Sequence, residues 1–284
     1  MAKRNKQKWE KKNPFQGVKK NQRKLRYEQF SFDDLRVYLG YPYTIESEEG
    51  HNSITIYSPA FGDIIDYGYN KFLSAINPFI ANTTQYRLPL WKSGKDWCEM
   101  SDFELFIMLI MARNIDNEAL KFLFHDEIDW NKFEPSVDKS EEKERLLLYN
   151  EEADILITER FYQEMVQYIR YVLQITVKED VTSSKILKKW YIQADEAKIK
   201  NAELRDKPKE EPSMLPLISS CLNHPGFKYD RDGLKKLTFF EFYDSVKRLQ
   251  VYESSRACMT GMYSGMVDGK KIPKDSYNFM RPIE

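Results

Sequence analysis

The sequence predicts a mainly α fold with small β-hairpins, an α+β class, behind a basic N-terminal arm expected to be disordered on its own. Three observations predict it. Two capping boxes, Ser101-Asp102-Phe103-Glu104 and Thr238-Phe239-Phe240-Glu241, each open an apolar helical run. Two pairs of short runs rich in Ile, Leu, Thr and Tyr flank polar turns, the pattern of hairpins. Hydrophobic residues make up 42% of 284 positions and aromatics 14%, enough to build a core and too much for a disordered chain.

The elements follow in order. Ser31 is expected to cap a short helix through Asp33, Asp34, Leu35 and Tyr38 that ends at Gly40. Tyr43-Thr44-Ile45 and Ile54-Thr55-Ile56-Tyr57 then form a hairpin around Glu48-Glu49-Gly50-His51. Ser58 and Pro59 have the N-cap and first-turn chemistry of a helix burying Ile64, Ile65, Phe72, Ile76 and Phe79, weakened at Gly62 and Gly68. Residues 83–97 contain Pro89 and Gly94 and read as an irregular connection with aromatic anchors. The first capping box starts a buried helix over 103–113, and a second helix over 117–124 packs beside it.

A second hairpin pairs Arg145-Leu146-Leu147-Leu148-Tyr149 with Ala153-Asp154-Ile155-Leu156-Ile157. Thr158 caps a long helix that buries Phe161, Met165, Tyr168, Ile169 and Val172. Residues 184–204 are helical and heavily charged. The stretch Arg205-Asp206-Lys207-Pro208-Lys209-Glu210-Glu211-Pro212 reads as a solvated linker. The predicted organisation is therefore an arm at 1–29, a helical body with two hairpins at 30–204, a linker at 205–213 and a helical C-terminal lobe at 214–284. In that lobe a short helix over 217–222 precedes the second capping box, whose helix turns Phe242, Val246 and Leu249 inward and ends near Gly261.

A formal net charge of zero hides a strong segregation. Lys3, Arg4, Lys6, Lys8, Lys11, Lys12, Lys19, Lys20, Arg23, Lys24 and Arg26 face only Glu10 and Glu28, so residues 1–29 carry +9 and the remainder −9. These eleven cations, with Trp9, Phe15 and Tyr27 among them, are the candidate contact residues. They suit a polyanion, whose phosphates they would neutralise and whose bases the rings would stack upon. The favoured reading is docking to an acidic protein surface in the same or a neighbouring subunit, or a solubilising role.

Catalytic chemistry finds little support. His51, His125 and His224 sit in three separate turns or helix ends without metal-ligand spacing, and capping or surface roles are expected of them. His125-Asp126-Glu127 with Asp129 lacks the glycine and spacing of a calcium loop and reads as a solvated acidic turn. Asp63 and Asp66 share a helix face, but they also lie in early turns where the macrodipole favours carboxylates. Gly261-Met262-Tyr263-Ser264-Gly265 lacks the spacing of a phosphate loop and reads as a helix end. Met108, Met111, Met259, Met262 and Met266 are expected in the core. Cys98, Cys221 and Cys258 form no CxxC pair and read as buried thiols of a reducing compartment. No apolar stretch approaches the ~18 residues of a membrane span, which points to a soluble intracellular protein. No enzyme activity, metal or cofactor is expected.

The ordered series Ile56-Tyr57-Ser58-Pro59, Gly62-Asp63-Ile64-Ile65-Asp66-Tyr67-Gly68, Leu90-Trp91, Ser101-Asp102-Phe103-Glu104-Leu105-Phe106, Gly261-Met262-Tyr263-Ser264-Gly265 and Asn278-Phe279-Met280 resembles proteins of the tail modules of phages and prophages of Gram-positive bacteria. The resemblance spans roughly residues 40–280. It implies a tail assembly chaperone or another tail-morphogenesis protein in the host cytoplasm, with the tape measure or tail tube subunit as partner and no catalytic residues. The basic arm departs from that pattern. It would also suit a structural component of the virion tail or connector, or a nucleic-acid-binding protein. Limited proteolysis is expected to trim the chain up to about residue 29 and leave a stable fragment. An arm as resistant as the body would contradict this.

Overall fold

Apolar residues at helical spacing and the hairpin runs find one another around a central helix. The structure, a computed structural model, describes residues 28–47, 50–125, 128–138, 145–204 and 213–283. The eleven arm cations, the turn at Glu48-Glu49, the Asp126-Glu127 pair and most of the charged linker lie outside the described residues.

The chain forms α1 (Asp34–Tyr38), the hairpin β1 (Tyr43–Ile45) and β2 (Ile54–Ile56), then the short helices α2 (Phe61–Tyr67), α3 (Tyr69–Ala75), α4 (Asn77–Ile80) and α5 (Arg87–Lys92). Next come α6 (Asp102–Met111) and α7 (Asn117–Phe124), and then a three-stranded antiparallel sheet in the order β3 (Glu134–Asp138), β4 (Arg145–Asn150) and β5 (Ile155–Ile157). The remaining helices are α8 (Glu159–Val172), α9 (Lys185–Leu204), α10 (Leu215–Asn223), α11 (Arg231–Lys236) and α12 (Phe239–Tyr263). The class is α+β and mainly helical, as the sequence predicts.

Helix α8 organises the core. Its Thr158 cap accepts from the Phe161 amide at 3.2 Å, and Phe161, Met165, Tyr168, Ile169 and Val172 are all buried. Beside it the rings of Phe79, Phe106, Phe124 and Trp130 meet with centroids 4.6–5.7 Å apart, within the range where edge and tilted contacts are favourable. Both capping boxes are complete, with Ser101 and Thr238 each accepting from the third helical amide at 3.1 Å while the glutamate bonds back.

The C-terminal elements reach into the same core. Leu234, Leu237, Phe239 and Phe242 are buried there with Phe61, whose ring lies 5.0 Å from Phe239 and 4.4 Å from Phe242. Pro59 O accepts from the Phe239 amide at 3.3 Å, and the Phe61 amide donates to Leu237 O at 2.7 Å. Gly62 permits this approach. A Cβ there would stand 2.8 Å from Lys235 Cβ and 2.9 Å from the Lys235 carbonyl.

Several local expectations change. Asp33, not Ser31, caps α1, because its carboxylate reaches the amides of Leu35 and Arg36 at 3.0 and 3.2 Å. Helix α2 starts after Ala60 with no side-chain cap, since tertiary partners take the place of the expected Ser58–Pro59 start. The helix expected to run on through Phe79 breaks at Gly68, whose φ of 107° lies outside the helical region, and Ile65 is exposed. Residues 83–97 contain α5, with Pro89 in the first turn, where a missing amide hydrogen leaves no bond unmade. Strand β3 was not expected: four of its five residues are exposed, so it carries no apolar alternation.

Phe106→Asp places an unpaired charge at a buried site, costing several kcal/mol against a total stability of about 5–15 kcal/mol. Circular dichroism is expected to show no cooperative transition. Gly62→Ala should lower the urea midpoint by the equivalent of about 1–3 kcal/mol; an unchanged midpoint would mean that the α2–α11 contact yields freely.

Candidate binding groove

A concave feature among the described residues runs along the C-terminal half of α8. One wall is the segment from Phe30 to Tyr38, including α1; the other is α12 with the chain end at residues 275–283. Three hollows of about 620, 720 and 480 Å³ connect end to end, the first two sharing Asp34, Tyr171, Gln174 and Lys247 and the last two sharing Lys247, Pro282 and Ile283.

The α8 wall starts where the described chain starts. The amides of Glu28 and Phe30 donate to Gln163 Oε1 and Gln167 Oε1, each at 3.2 Å, and Gln167 returns a bond to Glu28 O at 2.8 Å. Glu28 also pairs with Arg160 at 3.0 Å. The far end of the arm region is therefore tied to α8 by side chains spaced one turn apart. Phe32 then packs edge-on to Tyr43 and Tyr168, and the Tyr171 hydroxyl donates to Asp34.

Among the described residues four cations line the groove, and their hydrogen bonds go to neutral oxygens. Arg170 caps α4 by donating to the carbonyls of Ile80 and Ala81 at 3.0 and 2.9 Å. Lys247 donates to Gln174 Oε1 at 2.9 Å, Arg248 to the Arg281 carbonyl at 2.7 Å, and Arg281 to the Asp275 carbonyl at 3.1 Å. Between them sits Asp244, which makes no hydrogen bond among the described residues; burial pushes its carboxyl above the usual carboxylate range, against the opposing pull of the nearby Arg248 and Lys247 charges. Burial likewise raises Tyr38 and Tyr171, the latter also through its bond to Asp34. The lining mixes aromatic walls with both signs of charge, as peptide-binding surfaces do.

The residues singled out from sequence fall elsewhere. Asp63 and Asp66 are exposed and form no carboxylate pair with a shared ligand position. His51 bonds Asp154 at 2.7 Å and ties the two hairpin turns together, His125 stacks on Tyr57 at 3.8 Å, and His224 accepts from the Gly226 amide at 3.0 Å. Among the described residues no three His, Cys, Asp or Glu side chains gather as a metal site would require. Of the five methionines Met111 is half-buried and packs against the main core, Met259 and Met262 are half-buried, and Met266 and Met108 are 87% and 38% exposed. They lie mostly near the end of α12, whose apolar face outruns the body that would cover it. Cys98 and Cys221 are buried as expected and Cys258 is half-buried. No helix among the described residues is long and apolar enough to cross a membrane.

The groove was missed because its residues come from three distant segments. The only sequence signal was the inward face of α12, and Asp244 and Lys247 flank it.

Residues 206–284 match the family model described as the YomV second domain. The matched stretch is 79 of the 284 residues, and the family it is similar to is phage- and prophage-associated. No curated protein and no solved structure matches the chain. The match begins within the charged stretch at 205–213 and contains α10, α11, α12 and the chain end. It supplies one wall of the groove, with Phe240, Asp244, Lys247 and Arg281, while Asp34, Tyr38 and Tyr171 on the other wall lie outside it.

Because Asp244 is more easily protonated in the fold than in the unfolded chain, its charged form opposes folding at pH values above its raised pKa. Asp244→Asn should therefore raise the melting temperature at pH 7, and the gain should shrink as the pH falls through the carboxylate range. A loss of stability at pH 7 would show that the carboxylate is paired.

Proposed function

We propose that this protein serves phage tail morphogenesis by binding other tail proteins, as an assembly chaperone that holds a partner segment in the α8–α12 groove without turnover. The observation that carries the proposal is the joint construction of the groove. A phage-associated domain provides one wall and the rest of the chain the other, so a ligand there touches both. The lining favours a peptide segment: aromatic surface from Tyr38, Tyr171 and Phe240, cations hydrogen-bonded to neutral oxygens, and one carboxylate with no hydrogen bond among the described residues. The exposed Tyr263, Met266 and Met280 beyond the groove add adaptable apolar contacts. The candidate partners are the tape measure and the tail tube subunit, met in the host cytoplasm.

A permanent place in the tail or connector is the neighbouring reading. Purified virions would contain the chain in that case, and a chaperone would be found only in the lysate of infected cells.

The eleven cations between Lys3 and Arg26 favour a second reading, in which the arm binds nucleic acid. Under the protein-docking reading the purified chain binds DNA and RNA negligibly at physiological salt. Binding that falls steeply with salt would favour the arm as a nucleic-acid contact instead.

Pull-down from phage-infected cells with the full chain as bait is expected to recover a tail protein. Asp244→Lys, which reverses the central charge of the groove, should reduce that recovery by about tenfold or more. Asp63→Ala should leave phage production intact. If no tail component is recovered and Asp63→Ala blocks production with the fold preserved, the binding account is wrong and a carboxylate-dependent reaction takes its place.

A further inference from the structure

Helix α9 is built into the protein differently from every other long helix. It belongs to a second, small apolar core made of Leu88, Leu90, Trp97, Cys98 and Ile192, separate from the main one. Polar bonds run between the two cores. The Thr83 amide donates to Asp102 at 2.8 Å, Asn82 to the Lys178 carbonyl at 2.9 Å, the Asp180 amide to Thr84 at 3.1 Å, and the Trp97 indole to the Asp180 carbonyl at 3.0 Å.

Of the 20 residues of α9, only Lys188 and Ile192 are buried, and residues 196–204 are exposed on every side. Ile192, with the half-buried Tyr191 beside it, is a small apolar anchor for a helix of this length. Two ion pairs do the rest. Arg87, 9% exposed, forks its guanidinium onto both oxygens of Asp195, one at 2.7 Å, reaches Asp180 at 3.1 Å, and lies over the Tyr191 ring at 4.9 Å. Lys188, 7% exposed, pairs with Asp96. Both cations have little access to water, so each depends on its carboxylate partner.

We propose that α9 is a latched cover: Arg87 and Lys188 hold it over the small core, and it lifts from α5 as a unit while the main core stays closed. Lifting uncovers Trp97, Leu88 and Leu90, which pack with Ile192 in the small core. The energetic basis is local. Few buried apolar contacts and a charge-dependent clamp place this helix at the low-stability end of the molecule, where elements that open separately are found.

Hydrogen exchange on the full chain tests the proposal, comparing the wild type with Arg87→Met and Asp195→Asn. Backbone amides at 188–195 should exchange on the order of 100-fold faster in Arg87→Met, with a smaller increase in Asp195→Asn, where Asp180 still holds the guanidinium. Amides of α8 at 163–172 should change by less than about twofold. If α8 accelerates together with α9, the helix is part of one cooperative unit and the proposal falls. It falls equally if protection at 188–195 is unchanged. Should Arg87→Met fail to fold, the pattern in Asp195→Asn decides.

Discussion

The contact between α2 and the α11–α12 junction is the constraint on which the rest depends. Phe61 sits between Phe239 and Phe242, the Phe61 amide bonds Leu237 O at 2.7 Å, and Gly62 lets the Lys235 backbone approach where a side chain would collide. This seam fixes where α12 starts and in which direction it leaves the body. Because α12 is 25 residues long, its direction at the seam sets the position of Asp244, Lys247 and Arg248 one to three turns further on. The groove is thus a geometric consequence of packing at its base.

The polar groups of the groove are arranged unlike those of the rest of the protein. Elsewhere buried cations meet carboxylates, as Arg87 and Lys188 do. In the groove Arg170, Lys247, Arg248 and Arg281 donate to amide and peptide oxygens, which orient them, and Lys247 and Arg248 also lie close enough to Asp244 to pull on its carboxylate. Asp244 is the reverse case, a half-buried carboxylate with no hydrogen bond among the described residues and only the longer-range pull of Arg248 and Lys247. Such an arrangement is costly for folding and useful for recognition, since an incoming segment can complete pairs that the free protein leaves open.

Local signals in the sequence carried the elements well and their assembly poorly. Capping boxes at Ser101 and Thr238, the Thr158 cap and the 3.6-residue stripe of α8 were all legible, because each is settled within one or two turns. The start of α2 was misplaced because distant backbone, at Leu237 and Phe239, satisfies groups that a local rule assigns to Ser58. Strand β3 was invisible because an exposed edge strand needs no apolar period. The groove was invisible for the same reason as the seam: Tyr171, Asp34 and Asp244 are brought together by packing alone. The methionines were misjudged because helical spacing marks a buried face only where something covers it, and the end of α12 extends past its cover.

The phage-associated match and the groove meet at this seam, so the seam is where the account is most exposed. The most direct measurement is a double-mutant cycle by urea denaturation of the full chain, with Phe61→Leu, Phe242→Leu and the double variant. The account predicts a coupling of about 0.5–1.5 kcal/mol between the two rings, as for aromatic pairs in contact. Effects that add within about 0.3 kcal/mol would mean that the two parts of the chain fold without reference to each other, and would contradict it.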